Sequence, residues 1–125
     1  MPEALTDKDY RRQVKRIKKL IKKWHSPLVG WWRVEHAYYR EGLSPEDRAA
    51  GALASTHAEW EYLMATISWD IPEVAQTSDE YLEYAMVHEL CHLLVNEMHA
   101  DGVDHEERVV TTLARAFKWI RENPE

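Results

Sequence analysis

A chain of 125 residues, 45% apolar and 30% charged, is sized for one domain around one core. It has no apolar run near the roughly 18 residues that a membrane span needs, and with Cys91 its only cysteine it can form no intramolecular disulfide. The net charge of −6 is segregated: residues 1–23 carry nine Lys/Arg against three Asp/Glu, a balance of +6, and the rest carries −12.

The N-terminus, Met-Pro-Glu-Ala-Leu-Thr-Asp, is acidic and lacks the apolar core of a signal peptide. With the lone thiol, this makes the cytoplasm the expected location. Residues 7–24 read as a basic amphipathic helix. Tyr10, Val14, Ile17, Leu20, Ile21 and Trp24 recur at three- and four-residue spacing with Lys and Arg between them. His25-Ser26-Pro27 is expected to end it, because a residue before proline avoids the helical region. A basic segment on an acidic body can bind nucleic acid or protein. The expectation is instead that Val14, Ile17, Ile21 and Trp24 pack it on the body, leaving a solvated face with weak, sequence-independent DNA affinity at most.

Val29 to Tyr39, rich in aromatic and β-branched residues, is expected to contain a strand. Gly42 to Ala54, with Gly42, Ser44-Pro45 and Gly51, reads as a loop with a short helical turn. Trp60 to Ile71 alternates as a second strand whose core face would be Leu63, Ala65, Ile67 and Trp69, stopped by Pro72. Ser78 is placed to cap a helix with Tyr81 at N3, running to about Met98. A polar turn, His99 to Asp104 with Gly102, leads to a last helix from about His105 to Arg121, ended by Asn123-Pro124.

The chemistry sits on the helix that Ser78 opens. His88-Glu89-Leu90-Cys91-His92 has the H-E-x-x-H spacing. Residues four apart share a helical face, so both imidazoles can reach one ion, and Glu89 lies about 100° round, able to hold a water without ligating the metal. Leu82, Met86, Leu90, Leu93 and Leu94 form an apolar back face, while Tyr81, Tyr84, Ala85 and Val95 join the histidine face. A helix apolar on both sides buries His88 and His92, and buried imidazoles beside a carboxylate need partners. A metal ion satisfies all three; two core histidines bonded to carboxylates are the plain alternative. Cys91 reads as a small buried apolar residue, and Tyr81 and Tyr84 as packing groups that can also line a cleft.

A catalytic zinc site takes three protein ligands, with the third expected downstream among His99, Asp101, Asp104, His105, Glu106 and Glu107. The motif, followed by a helix opening Glu107-Arg-Val-Val110-Thr111-Thr-Leu113-Ala114, resembles the gluzincin metallopeptidases: thermolysin, ImmA/IrrE-type proteins and small phage-encoded minigluzincins. The resemblance covers residues 60–120. The resemblance does not cover the N-terminal helix; with that helix added, it implies an α+β, zincin-like domain over 1–125: the N-terminal helix, a small mostly antiparallel sheet, the histidine helix and a glutamate helix. It also implies a zinc-dependent peptidase with His88, His92 and Glu107 on the metal, and Glu89 as the carboxylate that activates water for peptide-bond hydrolysis. A phage setting goes with it. In such enzymes an edge strand can hold an extended substrate, and residues 60–69 are the candidate.

Periodicity leaves the third ligand open. Glu106 sits near the middle of the Val109, Leu113, Phe117 and Ile120 face. Glu107 lies to one side with Thr111 and Ala114, whose small size permits close helix approach, and Asp104 with Glu107 can also form a capping box. The metzincin extension fails at Val95 and Met98, and the SprT-like third histidine has no counterpart in His99-Ala100 or His105-Glu106. The rival to an enzyme is a non-catalytic zinc-binding regulatory module that uses its basic helix on protein or nucleic acid.

Overall fold

A computed structural model describes residues 5–44, 53–95 and 106–123. In chain order the elements are α1 (Asp7–Val29), β1 (Arg33–Tyr39), β2 (Ala54–Glu59), a 3₁₀ turn (Trp60–Tyr62), β3 (Met64–Asp70), α2 (Ile71–Ala75), α3 (Asp79–Leu94) and α4 (Glu106–Glu122). The class is α+β.

The strands form one sheet in the order β1-β3-β2, with β3 parallel to β1 and antiparallel to β2. The sheet is therefore mixed, where a mostly antiparallel one was expected. Ala65, Ile67 and Trp69 bury on one face as their alternation demands. Register puts Val34, His36 and Tyr38 of β1, and Ala54, Thr56 and Ala58 of β2, beside them. The helices cover that face, and the residues between point outward, leaving the sheet one-sided.

Four further points depart from the sequence reading or add to it. First, α1 runs through Pro27 to Val29 and does not stop at His25. The proline forfeits one backbone bond, but the extra turn buries Leu28 and Val29. The stop is Gly30, where a Cβ would lie 2.9 Å from the Ser26 carbonyl oxygen. Second, the expected strand from Trp60 begins only at Met64. Trp60–Tyr62 is a 3₁₀ turn, and Leu63, partly exposed at φ 51°, reverses the chain. Third, β2 occupies Ala54–Glu59, a segment with Thr56 as its one β-branched residue, which is held by pairing with β3 rather than by propensity. Fourth, β3 lies between two strands and has no free edge; among the described residues the edges belong to β1 and β2. Residues 60–69 therefore cannot be the substrate-holding edge.

Pro72 does end β3, but as an early residue of α2, capped by the buried Asp70. Asp70 accepts from the backbone N–H of Glu73 and of Leu43, tying the segment after β1 to the end of β3. Ser78 caps α3 as expected, accepting from Tyr81 N–H. Helix α3 ends at Leu94, short of Met98. The segments 45–52 and 96–105, with Pro45, Gly51, His99, Asp101, Gly102, Asp104 and His105, lie outside the described residues.

Two anchors fix α1 against α3. The Trp24 indole N–H donates to Glu83 at 2.8 Å, where Lys23 also pairs at 2.6 Å, and Arg121 of α4 lies 5.0 Å over the Trp24 ring. Burial alone would raise the Glu83 carboxyl, but Lys23 and Trp24 outweigh it and hold it below its ordinary value. Arg16 reaches Gln13, the carbonyls of Val74 and Thr77, and the Asp79 carboxylate. No described helix is long and apolar enough to cross a membrane.

Candidate metal centre

Helix α3 is buried along Leu82, Met86, Val87, Leu90, Cys91 and Leu93. Its remaining arc carries Tyr81, Tyr84, His88 and His92 in a file of ring contacts. The centroids are 6.1 Å apart for Tyr81 and Tyr84, 5.9 Å for Tyr84 and His88, and 5.0 Å for the two histidines, which meet edge to face.

Helix α4 packs against this arc. Its fully buried residues are Val110 and Ala114, with Val109, Leu113 and Phe117 partly buried beside them, so the contact face is rotated from the centre of the Val109/Leu113/Phe117/Ile120 stripe that periodicity suggested; Ile120 is exposed. Glu107 lies three residues before Val110, on the side turned to α3. Its carboxylate spans both histidines, with Oε1 at 3.1 Å from His88 Nε2 and Oε2 at 3.2 Å from His92 Nε2. Donor atoms of His88, His92 and Glu107 all lie within 4.8 Å of one another, a group that could hold a metal ion.

The other ring nitrogens face different carboxylates. His88 Nδ1 lies 3.1 Å from Glu89 Oε2, and His92 Nδ1 lies 3.2 Å from Glu106 Oε1. Glu106 and Glu107 thus both reach the histidine pair, on opposite sides of His92. Glu89 is buried and stands outside the three-ligand group. Its second oxygen accepts from the Thr56 hydroxyl at 2.9 Å. Thr56 was not among the residues singled out in the sequence. Its position in β2, in register with buried Ile67, is the signal that only the fold supplies.

Burial lowers the His88 imidazole, but the hydrogen bond and charge of Glu89, with the charge of Glu107, prevail and leave it above the ordinary histidine value. Three carboxylates around two imidazoles favour positive charge between them, whether a proton or a metal ion supplies it. Cys91 is fully buried, its thiol pushed up to about 12 by desolvation, the environment of a small apolar core residue.

Beyond Tyr84 the file opens into a groove of about 600 Å³ between the start of α3 and the end of α4. Tyr81 and Trp119, both largely exposed, line it together with Arg115 and Lys118. No family model matches this chain, and no curated protein or solved structure is detectably similar to it.

Proposed function

We propose that this protein is a zinc-dependent metallopeptidase that hydrolyses peptide bonds. The observation that carries the reading is the convergence of His88 Nε2, His92 Nε2 and the Glu107 carboxylate, with the buried carboxylate of Glu89 alongside. Two imidazoles and one carboxylate are a catalytic zinc donor set, and the fourth position is then open. The two Glu107 oxygens stand 3.1 and 3.2 Å from the histidine Nε2 atoms, one oxygen to each, so the three side chains are close enough to share one ion.

The surrounding groups suit that use. A proton on Nδ1 of each imidazole donates to Glu89 or Glu106 and leaves the Nε2 lone pair free to ligate. Bound zinc would supply Lewis acidity, lowering the pKa of water towards about 7 and polarising the scissile carbonyl. Glu89 takes the proton from the attacking water and returns it to the leaving amine. The Thr56 hydroxyl fixes the carboxylate that does so. Strand β2, with β3 as its one strand neighbour among the described residues, offers a backbone edge beside α3 for an extended peptide.

One observation favours a second reading. The contacts of Glu89 with His88 Nδ1 and Thr56 also fit a carboxylate that merely orients a ligand, as in a non-catalytic zinc module. Peptidase assays on zinc-loaded wild type and Glu89→Gln separate the two. Hydrolysis lost in the variant, with about one zinc per chain in both, supports the enzyme. Zinc-replete wild type inert on diverse peptides, or undiminished cleavage by Glu89→Gln, overturns the assigned role.

A further inference from the structure

The basic side of α1 is not consumed by the fold. At 100° per residue, Lys8, Arg11, Lys15, Lys18, Lys19 and Lys22 fall within an arc of about 100° and span about 21 Å of helix. All six are exposed. The ion pairs that α1 makes through basic residues use Arg12, Arg16 and Lys23 instead. Of the six, Arg11 lies near one acid, Asp7, whose principal partner is Arg40. The opposite side of the helix is locked into the core by Gln13, Ile17, Trp24 and Leu28. Among the described residues, Asp9 of α1 itself and Asp79 and Glu83 of the body therefore pair with the other α1 cations, and this row is left facing solvent.

We propose that this row is a docking surface for the phosphate backbone of duplex DNA, bound without regard to sequence. The occupant follows from what the face holds and lacks. It carries no apolar or aromatic anchor, which a protein partner would need at the centre of an interface, and lysine is depleted from such interfaces. It cannot lie in a bilayer surface, because its apolar side is already buried. It offers no ring for unpaired bases to stack on. A rigid row of cations gains most from a rigid, densely charged polyanion. Duplex DNA, with one charge per about 1.7 Å of axis and a condensed counterion layer to release, is that ligand. This surface stands apart from the metal centre and does not rest on the peptidase reading.

The test is fluorescence anisotropy of a labelled 20-base-pair duplex with the full chain. Five or six neutralised phosphates give a slope of about −5 in log K against log salt, so raising salt from 50 to 200 mM weakens binding several hundredfold or more. Two duplexes of unrelated sequence should bind equally. The variant Lys15→Glu/Lys18→Glu/Lys22→Glu should bind at least tenfold more weakly at 50 mM salt, with unchanged circular dichroism and melting. The milder Lys15→Gln/Lys18→Gln/Lys22→Gln should lose about three of the five units of slope. Binding unaffected by either variant overturns the proposal. So does tighter binding to a single strand, to polyglutamate or to phosphatidylserine vesicles than to the duplex.

Discussion

Replacing Glu107 by alanine should weaken zinc binding about a hundredfold, and replacing Glu106 only about tenfold. The difference follows from which nitrogen each carboxylate meets. Glu107 reaches the Nε2 of both histidines, so its loss removes one donor of three. Zinc sites with four ligands bind with about 10–16 kcal/mol, or about 3 kcal/mol per ligand, which is about two decades in affinity. Of the two histidines Glu106 meets His92, at Nδ1 and not at Nε2, so all three donors stay in place when it is truncated. Groups that orient a ligand in this way are worth about 10–100-fold, and the edge contact with His88 still holds the His92 ring, which favours the lower figure. The Glu107 side chain is 69% exposed, so its truncation opens no cavity and the fold should survive. Competition against a chromophoric chelator at pH 7.5 measures both variants against wild type and His88→Ala. If Glu106→Ala proved the more damaging, the ligand would be Glu106 and the helix register shifted by one residue. If both variants and His88→Ala bound zinc like wild type, the centre would lie elsewhere.

Three further outcomes are expected. Burial, aided by His25, holds the His36 imidazole down at about 4; its Nδ1 accepts from the Trp69 indole at 3.0 Å, and its Nε2 has no partner among the described residues. Between pH 6.5 and 4 the unfolded chain takes up a proton there that the folded chain refuses, so stability is lost as pH falls, by about 2 kcal/mol at pH 5. Urea unfolding with chelator present should show that loss in wild type and not in His36→Phe; parallel pH profiles would refute it. Thr56→Val should keep zinc but lower kcat about tenfold by releasing Glu89, while Thr56→Ser restores it; peptide hydrolysis and elemental analysis decide, and loss of zinc would argue for a structural role instead. Ala114→Leu overpacks the α3–α4 seam, where Ala114 is fully buried. It should cost about 1–3 kcal/mol in a thermal melt and weaken zinc binding with it, and an unchanged zinc affinity would speak against that seam as the support of the site.

The long periodic helices were legible because their apolar spacing is strong and their caps are local. Ser78 accepts the backbone bond that starts α3, as its place before that helix predicts, and the structure adds Thr6 in the same role for α1. The spacing of His88 and His92 needed only a helix. The choice between Glu106 and Glu107 did not follow from hydrophobic periodicity. The face of α4 that meets α3 is built on the small Ala114 and on Val110 rather than on the larger apolar residues beside them. Strand β2 was hidden for a related reason: Ala54, Ser55 and Ala58 carry little strand preference, and the pairing that holds them is long-range. The alternation from Trp60 to Tyr62 mimicked a strand through a turn whose side chains are mostly exposed. Pro27 misled because a local rule was outweighed by the burial of Leu28 and Val29.

The four-way grip of Arg16 has a consequence for how the molecule opens. One guanidinium from the N-terminal helix holds the carbonyls of Val74 and Thr77, after which α2 ends and α3 begins, and the first-turn acid Asp79. None of these bonds survives if α1 leaves, and each exposed group would then need water. The N-terminal helix and the opening turn of α3 should therefore come apart as one cooperative unit, with a shared rate of amide hydrogen exchange. An opening that stops short of His88 leaves the ligands together, so metal occupancy should slow this exchange less than that of the turns carrying His88 and His92.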